Sequence, residues 1–204
     1  MITKSKNILA VAVVLTVCGP GFAVAKSAAP SHMPITGRTS QPIGHYEYCR
    51  KYRSDCTLRS TDTRPVKLTQ SLWKELEQVN RSTNREVTPV TDQEYYDQEE
   101  YWTYPGKYGD CEDYVLLKRF RLLELGWPSS SLLVTVVRQP NGDGHAVLTV
   151  RTDVADFVLD NLRNRILPWN KTEYRYLKRQ SAAYSGHWEG INDSRDVLVG
   201  SVGR

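Results

Sequence analysis

Apolar residues recur at intervals of three and four positions in two parts of the chain, and this spacing predicts two helices. The first helix is predicted over residues 69–80 and the second over residues 110–125, ending before Gly126 and Pro128. We expect the first helix to be core scaffold. The two apolar stripes comprise Leu68, Leu72, Leu76 and Val79 in the first helix and Leu116, Phe120 and Leu123 in the second.

Runs rich in β-branched residues follow the second helix and predict three strands, over residues 132–138, 145–152 and 157–161. The sequence Pro-Asn-Gly-Asp-Gly at residues 140–144 is a dense turn signal between the first two strands. A helix packed on an antiparallel meander of this kind defines an α+β domain.

The N-terminal 25 residues have the organisation of a secretory signal peptide. Lys4 and Lys6 precede an apolar run over residues 8–17, and Ala-Val-Ala at residues 23–25 fits a cleavage site. Residues 26–44 lack periodicity and predict a flexible leader or a segment draped on the surface. Residues 45–204 are long enough for one compact domain. We therefore expect a soluble, exported, periplasmic protein.

Cys111 is the centre of the candidate chemistry. It lies where a loop rich in glycine and proline gives way to the second predicted helix, and a helix N-terminus favours the reactive thiolate. His145 and Asp160 follow in chain order and could supply a base and the carboxylate that orients it. The alternatives are a buried cysteine, a surface histidine and an aspartate in a turn.

The register of the last predicted hairpin tests whether His145 and Asp160 can meet. If Thr152 pairs with Ala155 around a two-residue loop, Asp160 falls opposite Val147 and becomes a diagonal neighbour of His145 on the same sheet face. A three-residue loop without a bulge would place the two side chains on opposite faces.

Three sequence segments in this order resemble the bacterial transglutaminase-like cysteine proteinases, the family that includes LapG-type periplasmic proteases. They are Gly-Asp-Cys-Glu-Asp-Tyr at 109–114, His-Ala-Val-Leu at 145–148 and Phe-Val-Leu-Asp-Asn-Leu at 157–162. The resemblance implies a papain-like or transglutaminase-like fold, with Cys111 as nucleophile, His145 as general base and Asp160 as its orienting carboxylate. The similarity extends to residues 42–49, Cys56, residues 79–80 and residues 101–102.

The acids beside Cys111 oppose a thiolate, since their negative charge disfavours a second anion nearby. A bound cation would relieve this repulsion, and carboxylate oxygens suit Ca²⁺. The resemblance also implies calcium here, so Asp110, Glu112 and Asp113 are predicted calcium ligands, with others supplied from elsewhere, such as Asp92 or the run from Asp97 to Glu100. The alternative is that Asp110 and Asp113 cap the helix.

Two further assignments concern Trp102 and the remaining cysteines. The indole N–H of Trp102 is our candidate for an oxyanion donor beside the Cys111 backbone N–H, with a core aromatic as the alternative. Cys49 and Cys56 are close enough in sequence to form a disulfide in an oxidising compartment, or they are two free thiols.

These observations predict an exported cysteine endopeptidase that acts on a protein substrate and depends on calcium. The resemblance implies a surface-associated substrate such as an adhesin, and a membrane-bound regulatory receptor as partner. The net charge of +4 does not fit a nucleic-acid-binding protein. The alternatives are a transglutaminase or deamidase with the same triad, and a non-catalytic calcium-stabilised binding module with an inert Cys111.

Overall fold

The computed structural model describes residues 30–195. A seven-stranded antiparallel sheet with helices on one side forms the body of the protein. The sheet has the strand order β1-β9-β8-β4-β5-β6-β7, and β2 pairs with β3 in a separate parallel ladder. The predicted α+β class is confirmed. The helices are α1 (Ile43–Lys51), α2 (Gln70–Glu86), α3 (Asp92–Tyr96) and α4 (Cys111–Glu124); the strands are β1 (Ile35–Thr39), β2 (Thr88–Pro89), β3 (Tyr108–Gly109), β4 (Leu132–Arg138), β5 (Gly144–Arg151), β6 (Asp156–Leu159), β7 (Leu167–Pro168), β8 (Arg175–Gln180) and β9 (Trp188–Ile191).

The two predicted helices correspond to α2 and α4, and they pack together against the sheet. Thr69 is the N-cap of α2, and its hydroxyl accepts the backbone N–H of Leu72 at 3.3 Å. The buried face of α4 differs from the predicted apolar stripe. Phe120 is 44% exposed and packs edge-on against Tyr104, whereas Lys118 is buried. The main core lies between these helices and β4–β6, with Leu76, Val79, Leu116, Leu122, Val134, Leu148 and Val150 among its members.

The three predicted strands are β4, β5 and β6, and the hairpin register agrees with the two-residue loop. Leu148 pairs with Leu159 and Arg151 with Asp156, while the N–H of Thr152 donates to the carbonyl of Ala155 at 3.2 Å. β4 is central because it also pairs with β8, which lies far along the chain. A second apolar cluster, which includes Val147, Trp169, Tyr174 and Tyr176, covers the other face of the sheet.

The structure covers only part of the N-terminal region for which predictions were made. The signal peptide and residues 26–29 lie outside the described residues. Within the segment predicted as a flexible leader, Ile35–Thr39 forms the edge strand β1, which pairs with β9. All five of its residues are exposed, so backbone hydrogen bonds attach this segment to the sheet. Among residues 30–195, no helix combines the length and apolar content needed to cross a membrane.

Candidate active site

His145 and Asp160 form a buried pair at one end of the β5–β6 hairpin. Nε2 of His145 lies 3.0 Å from Oδ1 of Asp160, and both side chains are 3% exposed. The hairpin register brings them together, since Asp160 follows the last residue of β6 and falls opposite Val147. With Nε2 on the carboxylate, Nδ1 is the imidazole nitrogen left to exchange a proton with a nucleophile.

Asp160 is held as a carboxylate by its hydrogen bonds. Burial alone would raise its pKa, but the hydrogen bond and charge of His145 and the donors Tyr174 and Leu162 together lower the pKa below its ordinary value. The Tyr174 hydroxyl donates to Oδ2 at 2.6 Å, and the Leu162 N–H donates to Oδ1 at 3.0 Å. An ionised, fixed Asp160 can orient the imidazole and stabilise its positive charge.

Cys111 is the first residue of α4 and opens into the same cavity as His145. This cavity has a volume of about 430 Å³ and is also lined by Trp102, Glu112 and Ala146. The Cys111 thiol donates to Oε2 of Glu112 at 3.0 Å, and its sulfur accepts the backbone N–H of Ala146 at 3.3 Å. Three separate elements, α4, β5 and the end of β6, therefore bring the predicted nucleophile, base and carboxylate to one place.

The acids around Cys111 disfavour its thiolate, as the sequence suggested. Burial raises the pKa of the Cys111 thiol well above its ordinary value, and the charges of Glu112 and Asp110 raise it further. The Ala146 N–H acts in the opposite direction. The position at a helix N-terminus is thus not sufficient to make this thiol acidic.

A cluster of three carboxylates lies next to the nucleophile. One oxygen from each of Asp92, Asp110 and Asp113 lies within 4.8 Å of the others. Oδ1 of Asp110 and Oδ2 of Asp113 are buried without a hydrogen-bond partner, so each carboxylate directs an unused acceptor into the protein. Glu112, a predicted ligand, is not a member of this group, and its carboxylate accepts the Cys111 thiol.

Burial and mutual repulsion disfavour negative charge in this cluster. Burial raises the pKa of Asp113 to about 8, with further contributions from the charges of Asp110 and Asp92. Burial likewise raises the pKa of Asp110 to about 6, and raises that of Asp92. A divalent cation that takes oxygen ligands, such as Ca²⁺, would stabilise the ionised form of these carboxylates.

Backbone N–H donors and the close packing of Gly109 against Asp113 hold the carboxylate cluster in place. Asp92 begins α3 beside a capping box formed by Thr91 and Glu94, and its carboxylate accepts the N–H of Tyr101. Oδ1 of Asp113 accepts the N–H of Thr103 at 2.9 Å. A Cβ on Gly109 would lie 2.8 Å from Oδ2 of Asp113, so only glycine fits there. The predicted capping by Asp110 is absent, since its side chain makes no capping hydrogen bond.

Trp102 lines the cavity, but its indole N–H is engaged. It donates to Oε2 of Glu100 at 2.8 Å, and the ring packs edge-on against His45. The structure therefore favours the core-aromatic alternative over the predicted oxyanion donor. The Cys111 N–H belongs to the first turn of α4, where backbone donors have no partner within the helix.

The disulfide and the other histidines lie away from the candidate pair. Cys49 and Cys56 are joined in the structure with an S–S distance of 2.01 Å. His45 is buried beside them, and burial lowers its pKa to about 4, with a contribution from Arg119. His187 lies at the surface, where its Nε2 contacts Arg38 at 2.8 Å.

The site contains functional groups that the sequence analysis did not assign. Asp92 was named only as one source of a further ligand, and the Ala146 N–H and the Tyr174 hydroxyl were not identified. Ala146 follows His145 in the His-Ala-Val-Leu segment, so its backbone donor could have been considered with that motif. Tyr174 has no local signal, since it reaches Asp160 from a different part of the chain.

A partly exposed cysteine at the start of a helix, with a buried histidine–carboxylate pair on the adjoining antiparallel sheet, defines a transglutaminase-like cysteine protease fold. A sequence model of the bacterial transglutaminase-like cysteine proteinases (BTLCP) matches residues 35–196, and the chain belongs to this family. The protein is accordingly a cysteine peptidase whose substrate is a protein.

Solved structures of a relative agree with the family assignment. Calcium-bound Legionella pneumophila LapG is 26% identical with a TM-score of 0.51, and the match covers 62% of this chain and 75% of that one. A second LapG structure is 28% identical with a TM-score of 0.50, covering 60% and 70%. EGTA-treated LapG is 24% identical with a TM-score of 0.50, and the match covers 64% of this chain and 72% of that one. This match supports the fold. The search of curated proteins finds no match.

Proposed function

We propose that Cys111, His145 and Asp160 form the catalytic triad of this peptidase. The observation that carries the proposal is the His145–Asp160 pair at 3.0 Å, which borders the cavity that also contains Cys111. Membership of a cysteine proteinase family favours an enzyme over the binding module considered above.

The triad supports cleavage through an acyl-enzyme. Cys111 attacks the scissile carbonyl carbon after its thiol proton passes to Nδ1 of His145, and a tetrahedral oxyanion forms. His145 then donates this proton to the leaving amine as the C–N bond breaks. A water molecule attacks the resulting thioester, His145 takes its proton, and the carboxylic acid product leaves as the thiol is restored. Asp160 holds the imidazole in orientation through both steps.

Backbone N–H groups are our candidates for stabilising the oxyanion. The Cys111 N–H lies in the first helical turn, where the helix dipole also favours a negative charge. Trp102 would have to release Glu100 before its indole N–H could take part. The Ala146 N–H stabilises the sulfur of the nucleophile.

We further propose that Asp92, Asp110 and Asp113 hold a calcium ion. The buried, unpartnered oxygens of Asp110 and Asp113 and the mutual repulsion of the three carboxylates support this assignment, as does the calcium-bound state named for the similar LapG structure. A bound ion would supply positive charge near Cys111 and offset the acids that disfavour the thiolate. Glu112 would then act on the thiol and not as a ligand.

The location and partners are also proposals. The signal-peptide pattern at residues 1–25 supports export to the periplasm. A surface-associated substrate such as an adhesin, and a membrane-bound regulatory receptor, are inferred from the resemblance to LapG-type proteases.

The decisive experiment measures the rate of Cys111 alkylation against pH, by mass spectrometry, with calcium or a chelator. A reactive thiolate in calcium that is lost in His145→Ala and weakened by chelation supports both proposals. His187→Ala is the matched control because His187 is at the surface. An alkylation rate that is equal in wild type and His145→Ala would contradict the triad.

A second assay separates hydrolysis from acyl transfer by the same triad. The protein is incubated with an unfolded polypeptide and a labelled primary amine. Backbone cleavage without label incorporation supports the peptidase. Label on glutamine side chains, or their deamidation, would favour the transglutaminase or deamidase alternative. Cys111→Ala should abolish either reaction.

A further inference from the structure

Tyr174 lies beside both members of the histidine–aspartate pair although it is outside the β5–β6 hairpin that carries them. It precedes β8 and is 1% exposed. Its hydroxyl donates to Oδ2 of Asp160 at 2.6 Å, and its ring centroid is 5.4 Å from that of His145. A single side chain therefore contacts the carboxylate through its hydroxyl and the imidazole through its ring.

The Tyr174 hydrogen bond is the one that fixes the outer oxygen of Asp160. Oδ1 is shared by His145 and the Leu162 N–H, and the main-chain carbonyl accepts from Asn84 at 2.9 Å. Within residues 30–195, Oδ2 is also approached by Nε of Arg163, but at 3.9 Å, which is beyond hydrogen-bonding distance. Loss of the tyrosine hydroxyl would leave one carboxylate oxygen without a direct hydrogen bond.

Rotation of the Asp160 carboxyl group would break its contact with His145, since both oxygens turn together. We propose that Tyr174 is a positioning residue that holds Asp160, and through it His145, in the orientation needed for proton transfer. The inference rests on the proposed triad. Tyr174 does not contact Cys111, so it acts through the other two residues.

The hydroxyl is suited to this part because it stays protonated. Burial raises the pKa of Tyr174 above its ordinary value, and the hydrogen bond to Asp160 raises it further. A hydroxyl that resists ionisation can keep donating its hydrogen bond to the Asp160 carboxylate. The guanidinium group of Arg163 lies 5.5 Å from the ring centroid and covers the ring.

Tyr176 provides a matched control two residues along the chain. It is also 1% exposed, and its hydroxyl is hydrogen-bonded to Thr172 at 3.0 Å. Tyr174→Phe and Tyr176→Phe each remove one buried hydroxyl and keep the ring, so their effects on packing should be similar. Only Tyr174→Phe removes a bond to Asp160.

The test compares wild type, both phenylalanine variants and His145→Ala with calcium present. The first readout is the rate constant for alkylation of Cys111 by iodoacetamide near neutral pH. The second is the downfield proton NMR signal of the His145 Nε2–H bonded to Asp160, assigned by its absence in His145→Ala. We expect Tyr174→Phe to lower the rate about tenfold and to lose the signal, whereas Tyr176→Phe changes the rate less than about twofold.

The outcomes distinguish the inference from the proposed function. Retention of the signal and the rate in Tyr174→Phe, or equal losses in both phenylalanine variants, would overturn the positioning role. Equal alkylation of wild type and His145→Ala would overturn the triad. The NMR signal alone would then test whether Tyr174 positions His145. Its loss in Tyr174→Phe only would still support the positioning of His145 by Tyr174.

Discussion

Asp113→Asn tests whether the carboxylate cluster is built for a cation. The substitution keeps the size of the side chain and the acceptor for the Thr103 N–H, but replaces the unpartnered Oδ2 with an amide that can donate to neighbouring carboxylates. We expect opposite effects in the two metal states. The variant should be more stable than wild type in chelator and less stable in calcium.

The magnitude follows from the pKa of Asp113. Its ordinary value is 3.8 and its value in the folded protein is about 8, so the folded state binds the proton more tightly than the unfolded state. Stability of metal-free wild type is therefore full below the ordinary pKa and falls as pH rises towards the folded value. One proton changes the free energy of unfolding by about 1.4 kcal/mol per pH unit, which gives up to about 4 kcal/mol between about pH 5 and about pH 8.

Thermal unfolding followed by tryptophan fluorescence measures this effect. For a domain of this size, about 4 kcal/mol corresponds to a fall in Tm of roughly 8–16 °C. Wild type in chelator should show this fall towards alkaline pH, and calcium or Asp113→Asn should suppress it. Asp97→Asn is the control because Asp97 is exposed and its left-handed backbone, with φ of 57°, tolerates asparagine. A flat profile for metal-free wild type, or no rise in Tm with calcium, would refute the reasoning.

Three further predictions concern the triad, the thiol and the fold. Asp160→Asn should lower kcat/KM for protein cleavage at least about a hundredfold because the imidazole loses its orienting charge; an active variant would contradict the triad. Glu112→Gln should speed Cys111 alkylation in chelator by up to about tenfold at alkaline pH, since burial raises the pKa of Glu112 and its charge, once present, raises that of the thiol; slower alkylation would contradict this. Thr69→Ala should lower the free energy of unfolding by about 1 kcal/mol in urea titrations, since α2 loses its cap; unchanged stability would show that the cap is not needed.

Local patterns predicted the parts of the fold whose contacts are local. The sequence left two registers open for the β5–β6 hairpin, and the two-residue loop in the structure selects the one in which His145 and Asp160 meet. The pairing of β8 with β4 joins distant segments, and no periodicity indicates which distant strands will pair. The exposure of Phe120 also depends on tertiary packing, because it contacts Tyr104 from another loop.

The candidate site also combines residues that a local motif could suggest with residues that only the fold brings together. Residues within one motif, such as Cys111 and Asp110, could be proposed from sequence. Asp92 joins the cluster because loop N–H groups hold it and Asp113, and Tyr174 reaches Asp160 across the sheet. The Trp102 assignment stays a prediction, and sequence alone did not show that Glu100 would accept its indole N–H.

The arrangement of acids also indicates how a metal could affect a nucleophile that it does not touch. The Cys111 thiol contacts Glu112 and Ala146, and the three clustered aspartates do not bind the sulfur. Asp110 belongs to the cluster and also contributes to the high pKa of the thiol. A cation that neutralises this carboxylate would therefore favour the thiolate through charge, without coordinating sulfur. On this basis, calcium should alter the pH dependence of Cys111 reactivity more than the position of the His145–Asp160 pair, which lies on separate elements with its own hydrogen bonds.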